Sequence, residues 1–294
     1  MEFLQPSTWQ EALAARAEFP DAVPVAGGTD VMVEINFDRR RPGALLDLTR
    51  ITELREWSRE SDADGARVRL GSGVSYTRLI AELGDELPGL AMASRTVGSP
   101  QIRNRGTVGG NLGAGSPAGD SHPPLLATDA VVEVASAARG TRFIPIIEFY
   151  LGVKKTALAE DELIAAILLT PASGPQQFCK IGTRNAMVIA VSAFGFALHP
   201  ARRSVGTGIG SAAPTPRRAH EAETFLAGEL EAAGLWDSRG PLPESLTREF
   251  GSRVSDAAAP IDDVRGSAAY RRRSLAVMAH RAANWAWNDY RKAA

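Results

Sequence analysis

Between Thr107 and Asp120 the chain reads Thr-Val-Gly-Gly-Asn-Leu-Gly-Ala-Gly-Ser-Pro-Ala-Gly-Asp, five glycines in fourteen residues. Glycine loses more conformational freedom on ordering than any other residue, so keeping such a segment ordered is costly. A chain that keeps a glycine loop of this length between regular elements usually has something for its bare backbone to touch. The competing reading is a disordered loop, but Val108 and Leu112 are apolar and argue for a packed segment. Thr107 and Asn111 offer neutral donors suited to phosphate oxygens, whereas the Asp120 carboxylate would repel phosphate and suits sugar hydroxyls instead.

Two further segments bear on chemistry. Val25-Ala26-Gly27-Gly28-Thr29-Asp30-Val31 runs from a predicted strand through two glycines directly into a predicted helix. Such a turn admits positive φ, lets amide N–H groups approach a ligand and, with the helix dipole, favours an anion such as pyrophosphate. Thr29 adds a hydroxyl donor. The pattern matches neither the spaced-glycine dinucleotide fingerprint nor the phosphate-loop lysine motif, and standing alone it reads first as an ordinary tight turn. In Phe178-Cys179-Lys180-Ile181-Gly182-Thr183-Arg184-Asn185 a strand would put Phe178 and Lys180 on one face and Cys179 on the other. Lys180 either snorkels to water or brings its ammonium to a carbonyl of a bound ligand, and the segment alone leaves both open.

Composition narrows the class. A chain of 294 residues with 44% hydrophobic content is expected to form two domains, or one with an appendage, around a sizeable core. A formal net charge of −1 supplies no field to gather nucleic acid or an anionic membrane, and Arg39-Arg40-Arg41 and Arg271-Arg272-Arg273 read as solvated faces. The single cysteine, Cys179, excludes an internal disulfide and any all-cysteine zinc or iron–sulfur site, and points to a reducing compartment. The opening MEFLQPSTWQEALAA lacks a signal pattern, and the most apolar stretch, Ala186 through Leu198, is shorter than the ~20 residues a spanning helix needs, so a cytoplasmic chain without a membrane span is expected.

Along the chain, Ser7 is the expected N-cap of a helix carrying Trp9, Leu13 and Ala17. Strands at 22–26 and 44–48 alternate with helices at 30–37 and 51–57, an α/β unit. After a turn at Asp62-Ala63-Asp64-Gly65, a second unit holds a strand at 68–70, helices at 76–83 and 90–97, and the glycine-rich segment from Gly98 to Gly119. Strands at 130–135 and 142–146, turned by Arg139-Gly140, and at 163–169 close it. Pro171-Ala172-Ser173-Gly174-Pro175 is the expected domain boundary. Beyond it lie strands at 178–181, 191–199 and 204–211, helices at 217–226 and 266–286, and a linker at Gly240-Pro241-Leu242-Pro243.

Taken together, these segments resemble the FAD-binding medium subunit of the xanthine dehydrogenase and carbon monoxide dehydrogenase family, over nearly the whole chain. The resemblance rests on Ala26-Gly27-Gly28-Thr29-Asp30 and, most specifically, on Gln101-Ile102-Arg103-Asn104 leading into Thr107-Val108-Gly109-Gly110-Asn111 with Ser116-Pro117 and Asp120 beyond. Lys180-Ile181-Gly182-Thr183-Arg184 and Asp263-Val264-Arg265-Gly266-Ser267-Ala268-Ala269-Tyr270-Arg271 support it. It implies an α+β chain: an FAD-binding domain of the vanillyl-alcohol-oxidase type at 1–172, in two α/β subdomains of about 1–58 and 59–172. A small α+β C-terminal domain with an antiparallel sheet would follow at 173–294.

The resemblance also implies a site. The backbone of Pro24, Val25, Ala26, Gly27, Gly28, Thr29, Asp30 and Val31 would hold the FAD pyrophosphate, joined by Thr107, Gly109, Gly110 and Asn111. Asp120 would take sugar or ribityl hydroxyls, Ile164 would pack on the flavin, and Lys180 would lie near its carbonyl, steadying the reduced ring. Val97 stands where some relatives place an aromatic residue near the adenine. FAD is expected to be non-covalent, because Pro123-Pro124 suit His122 to a turn rather than to a flavin link. Some relatives carry an iron–sulfur cluster in this subunit, which one cysteine cannot ligate. The implied function is electron relay with no catalytic acid, base or nucleophile. A molybdenum cofactor on a large molybdopterin-binding partner and [2Fe-2S] clusters on a small iron–sulfur partner feed FAD, which delivers to NAD+, a quinone, oxygen or another acceptor. A self-contained flavin oxidase or reductase and a redox-silent nucleotide scaffold are the competing readings.

Overall fold

The computed structural model describes residues 1–62 and 65–293, so Ala63 and Asp64 of the expected turn lie outside the described residues. Contacts divide the chain into two units that interleave along the sequence. The first comprises Met1–Glu82, Gly98–Gly115 and Ala130–Thr170, the second Leu83–Val97, Ser116–Asp129 and Pro171–Ala294.

The first unit contains two main sheets. Strands β1 (Glu2–Leu4), β2 (Val23–Val25) and β3 (Ala44–Asp47) form a parallel sheet in the order β1-β3-β2, so the fully buried Ala-Leu-Leu-Asp run is its centre. The helix Trp9–Glu18 is capped by Thr8, not by the expected Ser7. Glu11 sits three residues after Thr8, which is the spacing that closes a capping box, and its carboxylate also takes the Ser7 amide at 2.8 Å. Beneath this helix Ala12, Leu46, Ile51, Leu54 and Leu163 form one buried cluster.

The other sheet is antiparallel, in the order β4-β5-β10-β6-β7, from β4 (Trp57–Asp62), β5 (Gly65–Gly71), β6 (Val131–Ser136), β7 (Gly140–Pro145) and β10 (Leu163–Leu169). Two short strands, β8 (Tyr150–Gly152) and β9 (Lys155–Thr156), pair beside it. β10 is apolar and buried at all seven positions, as a central strand must be. The helix expected over 51–57 is reduced to one 3-10 turn, Glu53–Arg55. The carbonyls of Leu54 and Glu56 accept instead from the amides of Gly73 (2.7 Å) and Gly71 (3.0 Å), which draws the chain into β4.

The glycine-rich stretch is a loop only in its second half. It folds as the helices Pro100–Arg105 and Val108–Ala114, then runs through turns over 115–121 before the helix His122–Ala127 in the second unit. Intrinsic propensity opposes a helix of sequence Val-Gly-Gly-Asn-Leu-Gly-Ala. Burial of Val108 and Leu112 and a cap at each end outweigh it: Thr107 Oγ1 accepts from the Gly110 amide at 2.9 Å, and Gly115 ends the helix at φ 59°.

In the second unit β11 (Gln176–Ile181), β12 (Ser192–His199) and β13 (Ser204–Gly210) form an antiparallel sheet in that order. The helices His220–Ala232, Glu244–Asp256 and Ala268–Lys292 share its core, where Phe194, Phe196, Phe250, Leu275 and Trp287 are essentially inaccessible. The segment expected as a linker is packed: Leu242 touches this core and the Gly240 carbonyl accepts from Trp287 Nε1 at 2.8 Å. Arg271, expected on a solvated face, is 4% exposed because its guanidinium is consumed by buried carbonyls and Asp263.

Candidate functional site

The first glycine turn leaves the parallel sheet at Val25 and enters the helix Val31–Asn36. Gly28 sits at φ 73°, left-handed territory that glycine occupies without penalty. Gly27 is fixed by proximity: a Cβ there would fall on the Arg105 carbonyl and the Gly106 Cα. Asp30 precedes the helix without a side-chain cap, and among the described residues the amides of Gly28, Thr29 and Asp30 donate to no protein acceptor. Three N–H groups at a turn therefore remain available to an anion.

The second bend meets the first. A Cβ at Gly110 would stand 3.9 Å from the Ala26 Cβ and 3.1 Å from Thr107 Oγ1. Thr107 is buried and spends a lone pair on the Gly110 amide, which leaves its hydroxyl proton to donate elsewhere. Asn111 Oδ1 is buried without a partner among the described residues. Ile164, on β10, is 8% exposed and lies across from Gly113, where a Cβ would be 3.8 Å from its Cδ1. A polar cleft of about 350 Å³ opens beside Ala26 and Thr107, with Ser72, Ser75, Arg78 and Asn104 in its wall.

The remaining candidates lie in the second unit. Cys179 and Ile181 pack on the aromatic core, so the alternation of β11 turns Lys180 to the opposite face. There the Lys180 ammonium lies 2.5 Å from Asp120 Oδ2, with side-chain exposures of 9% and 7%. It also reaches the Thr96 carbonyl at 3.4 Å, while Thr96 Oγ1 donates to the same Asp120 oxygen at 3.0 Å. Burial raises the Asp120 carboxyl above its ordinary range, and the Lys180 charge and the two hydrogen bonds offset part of that rise. Asp120 Oδ1, too, is buried without a partner among the described residues. Val97 follows Thr96 at the end of the helix Pro88–Arg95, half-buried. His122 is wholly buried, with Nε2 2.9 Å from the Ser116 carbonyl oxygen, and desolvation pushes its pKa down to about 4. Burial pushes the Cys179 thiol up to about 11.

The predicted residues thus gather within each unit: the two glycine bends and Ile164 in one, Asp120 and Lys180 in the other. Sequence reasoning missed Thr96, since a threonine closing a helix carries no motif of its own. Each unit offers its own kind of group: uncommitted amides suited to an anion in the first, and a carboxylate oxygen suited to a hydroxyl donor in the second. Among the described residues no group of three or more His, Cys, Asp or Glu is placed to hold a metal, and no helix is long and apolar enough to cross a membrane.

Residues 1–171 match the family described as the FAD binding domain in molybdopterin dehydrogenase, and residues 177–286 the CO dehydrogenase flavoprotein C-terminal domain. The xanthine dehydrogenase FAD-binding subunit of Escherichia coli O157:H7 is 35% identical over 229 residues, covering 74% of this chain and 76% of that protein. The carbon monoxide dehydrogenase medium chain of Hydrogenophaga pseudoflava is 28% identical over 297 residues, 97% of this chain and 96% of the relative. A solved structure of carbon monoxide dehydrogenase from Hydrogenophaga pseudoflava, lacking the Mo-pyranopterin moiety, is similar with a TM-score of 0.85 at 27% identity, over 99% of this chain and 98% of that one.

Proposed function

The chain belongs to the FAD-binding medium subunits of the molybdenum hydroxylases, the xanthine and carbon monoxide dehydrogenase family, and on that premise we propose that it holds FAD as the electron relay of an oxidoreductase complex. The observation that carries this reading is the convergence of two glycine bends, Ala26-Gly27-Gly28 and Gly109-Gly110, beside an orphaned Asn111 oxygen. The backbone from Pro24 to Val31, with Thr107, Gly109, Gly110 and Asn111, would hold the diphosphate. Asp120 would accept from sugar or ribityl hydroxyls, Ile164 would press on the ring, Lys180 would stand by a ring carbonyl, and Val97 would border the adenine without stacking on it.

Bound FAD supplies the exchange between single-electron donors and a two-electron acceptor. The protein's part is placement and electrostatics: amides at the diphosphate, and a buried cation to favour added negative charge on the ring. We infer a large molybdopterin-binding partner and a small iron–sulfur partner as the source of electrons, with NAD+, a quinone, oxygen or another acceptor beyond, and a cytoplasmic setting. The division into an FAD-binding domain at 1–172 and a C-terminal domain at 173–294 belongs to the same proposal. The relatives are subunits and chains of dehydrogenases, which disfavours a self-contained flavin oxidase. Reconstitution tests the reading: the purified full chain, or its complex, incubated with FAD and desalted, should retain flavin absorbance near one equivalent, and protein free of flavin would overturn it.

A further inference from the structure

We infer that Thr96 is a positioning residue of the cofactor site, dividing the two oxygens of Asp120 between protein and ligand, an inference that rests on the FAD reading above. Thr96 closes the helix Pro88–Arg95 with φ −89° and ψ −9°. From there it touches both members of the buried pair. Its hydroxyl donates to Asp120 Oδ2 at 3.0 Å and its carbonyl accepts from Lys180 Nζ at 3.4 Å. Lys180 itself meets that same Oδ2 at 2.5 Å. Among the described residues the side-chain donors to Asp120 thus fall on one oxygen, while Oδ1 stays buried and unpartnered.

A carboxylate is symmetric about its last torsion, so an ion pair with Lys180 alone would not decide which oxygen is left without a protein donor. The second donor does. With Thr96 and Lys180 both on Oδ2, rotation would exchange a doubly bonded oxygen for a bare one at the cost of both contacts. The Thr96 hydroxyl has one proton and a second acceptor in reach, the Ala93 carbonyl at 2.8 Å, and the charged oxygen makes the stronger bond. The Lys180 ammonium is held at the C-terminal end of a helix, where the carbonyl dipoles favour a cation. What remains for a ligand is a lone acceptor oxygen in a desolvated wall. Its complement is a hydroxyl donor, as on a ribityl chain or a ribose, and not a phosphate.

The test uses the full chain stripped of flavin and titrated with FAD, following flavin fluorescence, with melting curves of the unliganded proteins alongside. Thr96→Val keeps the shape and removes the hydroxyl; it should raise the FAD Kd about ten-fold, with Thr96→Ser within about two-fold of the wild type, the scale of one hydrogen bond to a charged group. Because the effect runs through Asp120, Thr96→Val should add nothing in an Asp120→Asn background. A Thr96→Val chain that binds FAD like the wild type, or that loses as much affinity beside Asp120→Asn, overturns the inference and leaves the FAD reading standing. A wild-type chain that takes no FAD overturns both. Should Thr96→Val fail to fold, Thr96→Ala against Thr96→Ser reads the same hydroxyl.

Discussion

Lys180 Nζ lies 2.5 Å from Asp120 Oδ2, and both side chains are more than nine-tenths buried. Removing one partner strands the other charge, whereas replacing both with apolar groups need not cost anything. Lys180→Met should therefore destabilise the unliganded chain by roughly 3 kcal/mol, and Lys180→Met with Asp120→Leu should recover most of that loss. The pH dependence follows from burial, which raises the Asp120 carboxyl above its ordinary 3.8. A group whose folded value is raised contributes stability that is present below 3.8 and lost as pH climbs through the folded value. The Lys180→Met deficit should accordingly be largest near neutral pH and shrink toward pH 4. Urea unfolding across that range checks it, and a deficit of constant size would count against the ion pair.

Gly27 and Gly28 are neighbours with different reasons for being glycine, and alanine separates them. At Gly27 a Cβ would meet the Arg105 carbonyl, a backbone group that cannot swing away. Gly27→Ala should cost about 2 kcal/mol in overpacking and, under the proposed reading, most of the bound flavin. At Gly28 the nearest atoms to a Cβ are Met32 Cγ at 3.4 Å and Val25 Cγ1 at 3.7 Å, so the cost is that of a left-handed alanine, about 1 kcal/mol. Melting temperature and the flavin-to-protein absorbance ratio should rank Gly27→Ala below Gly28→Ala. The reverse order would mean that the bends do not rely on close backbone approach.

His122 is buried neutral, with its pKa held down to about 4 by desolvation against an ordinary 6.5. The unfolded chain binds that proton more readily, so this group's contribution is full above 6.5 and is lost as pH falls from 6.5 toward 4. At pH 5 the wild type should have lost roughly 2 kcal/mol from this source. His199 is lowered in the same direction, by burial first, so the informative quantity is the difference between wild type and His122→Gln at each pH. That difference should narrow as pH drops from 7 to 5. Parallel curves would mean that His122 protonates without penalty.

The sequence was most legible where one local rule decides the outcome. The continuous apolar run Leu163–Leu169 read as a strand candidate and is a buried strand, and alternation put Cys179 and Lys180 on opposite faces, as they are. It was least legible where distant groups intervene. Nothing near Ile51–Trp57 announces that the amides of Gly71 and Gly73 will capture its carbonyls. The helix through Gly109 and Gly110 defies propensity because burial of Val108 and Leu112, remote in its cause, outweighs it. The same holds for the site. Glycine bends are visible as composition, whereas the contribution of Thr96 exists only once a helix end, β11 and Asp120 are in place.

Arg271, Arg272 and Arg273 are consecutive and chemically identical, yet the fold gives them unequal work. Arg271 reaches Asp263 at 2.5 Å and the Val191 carbonyl at 2.9 Å, and it also bonds the Ser211 carbonyl, tying the ends of two sheet strands to the start of the long helix. Arg272 bonds the Ser255 carbonyl at 2.8 Å, and Arg273 is exposed. Arg271→Met removes the donor to the Val191 and Ser211 carbonyls and leaves Asp263 to Arg265 alone, and it should cost about 3 kcal/mol. Arg271→Lys keeps the charge but not the planar fork, so it should fall between, near 1–2 kcal/mol. Arg273→Ala should stay within about 0.5 kcal/mol of the wild type. Denaturant midpoints at unchanged slope would read all three, and an Arg273→Ala loss equal to that of Arg271→Met would show that the run acts as one charged patch rather than as one buried clamp with two surface neighbours.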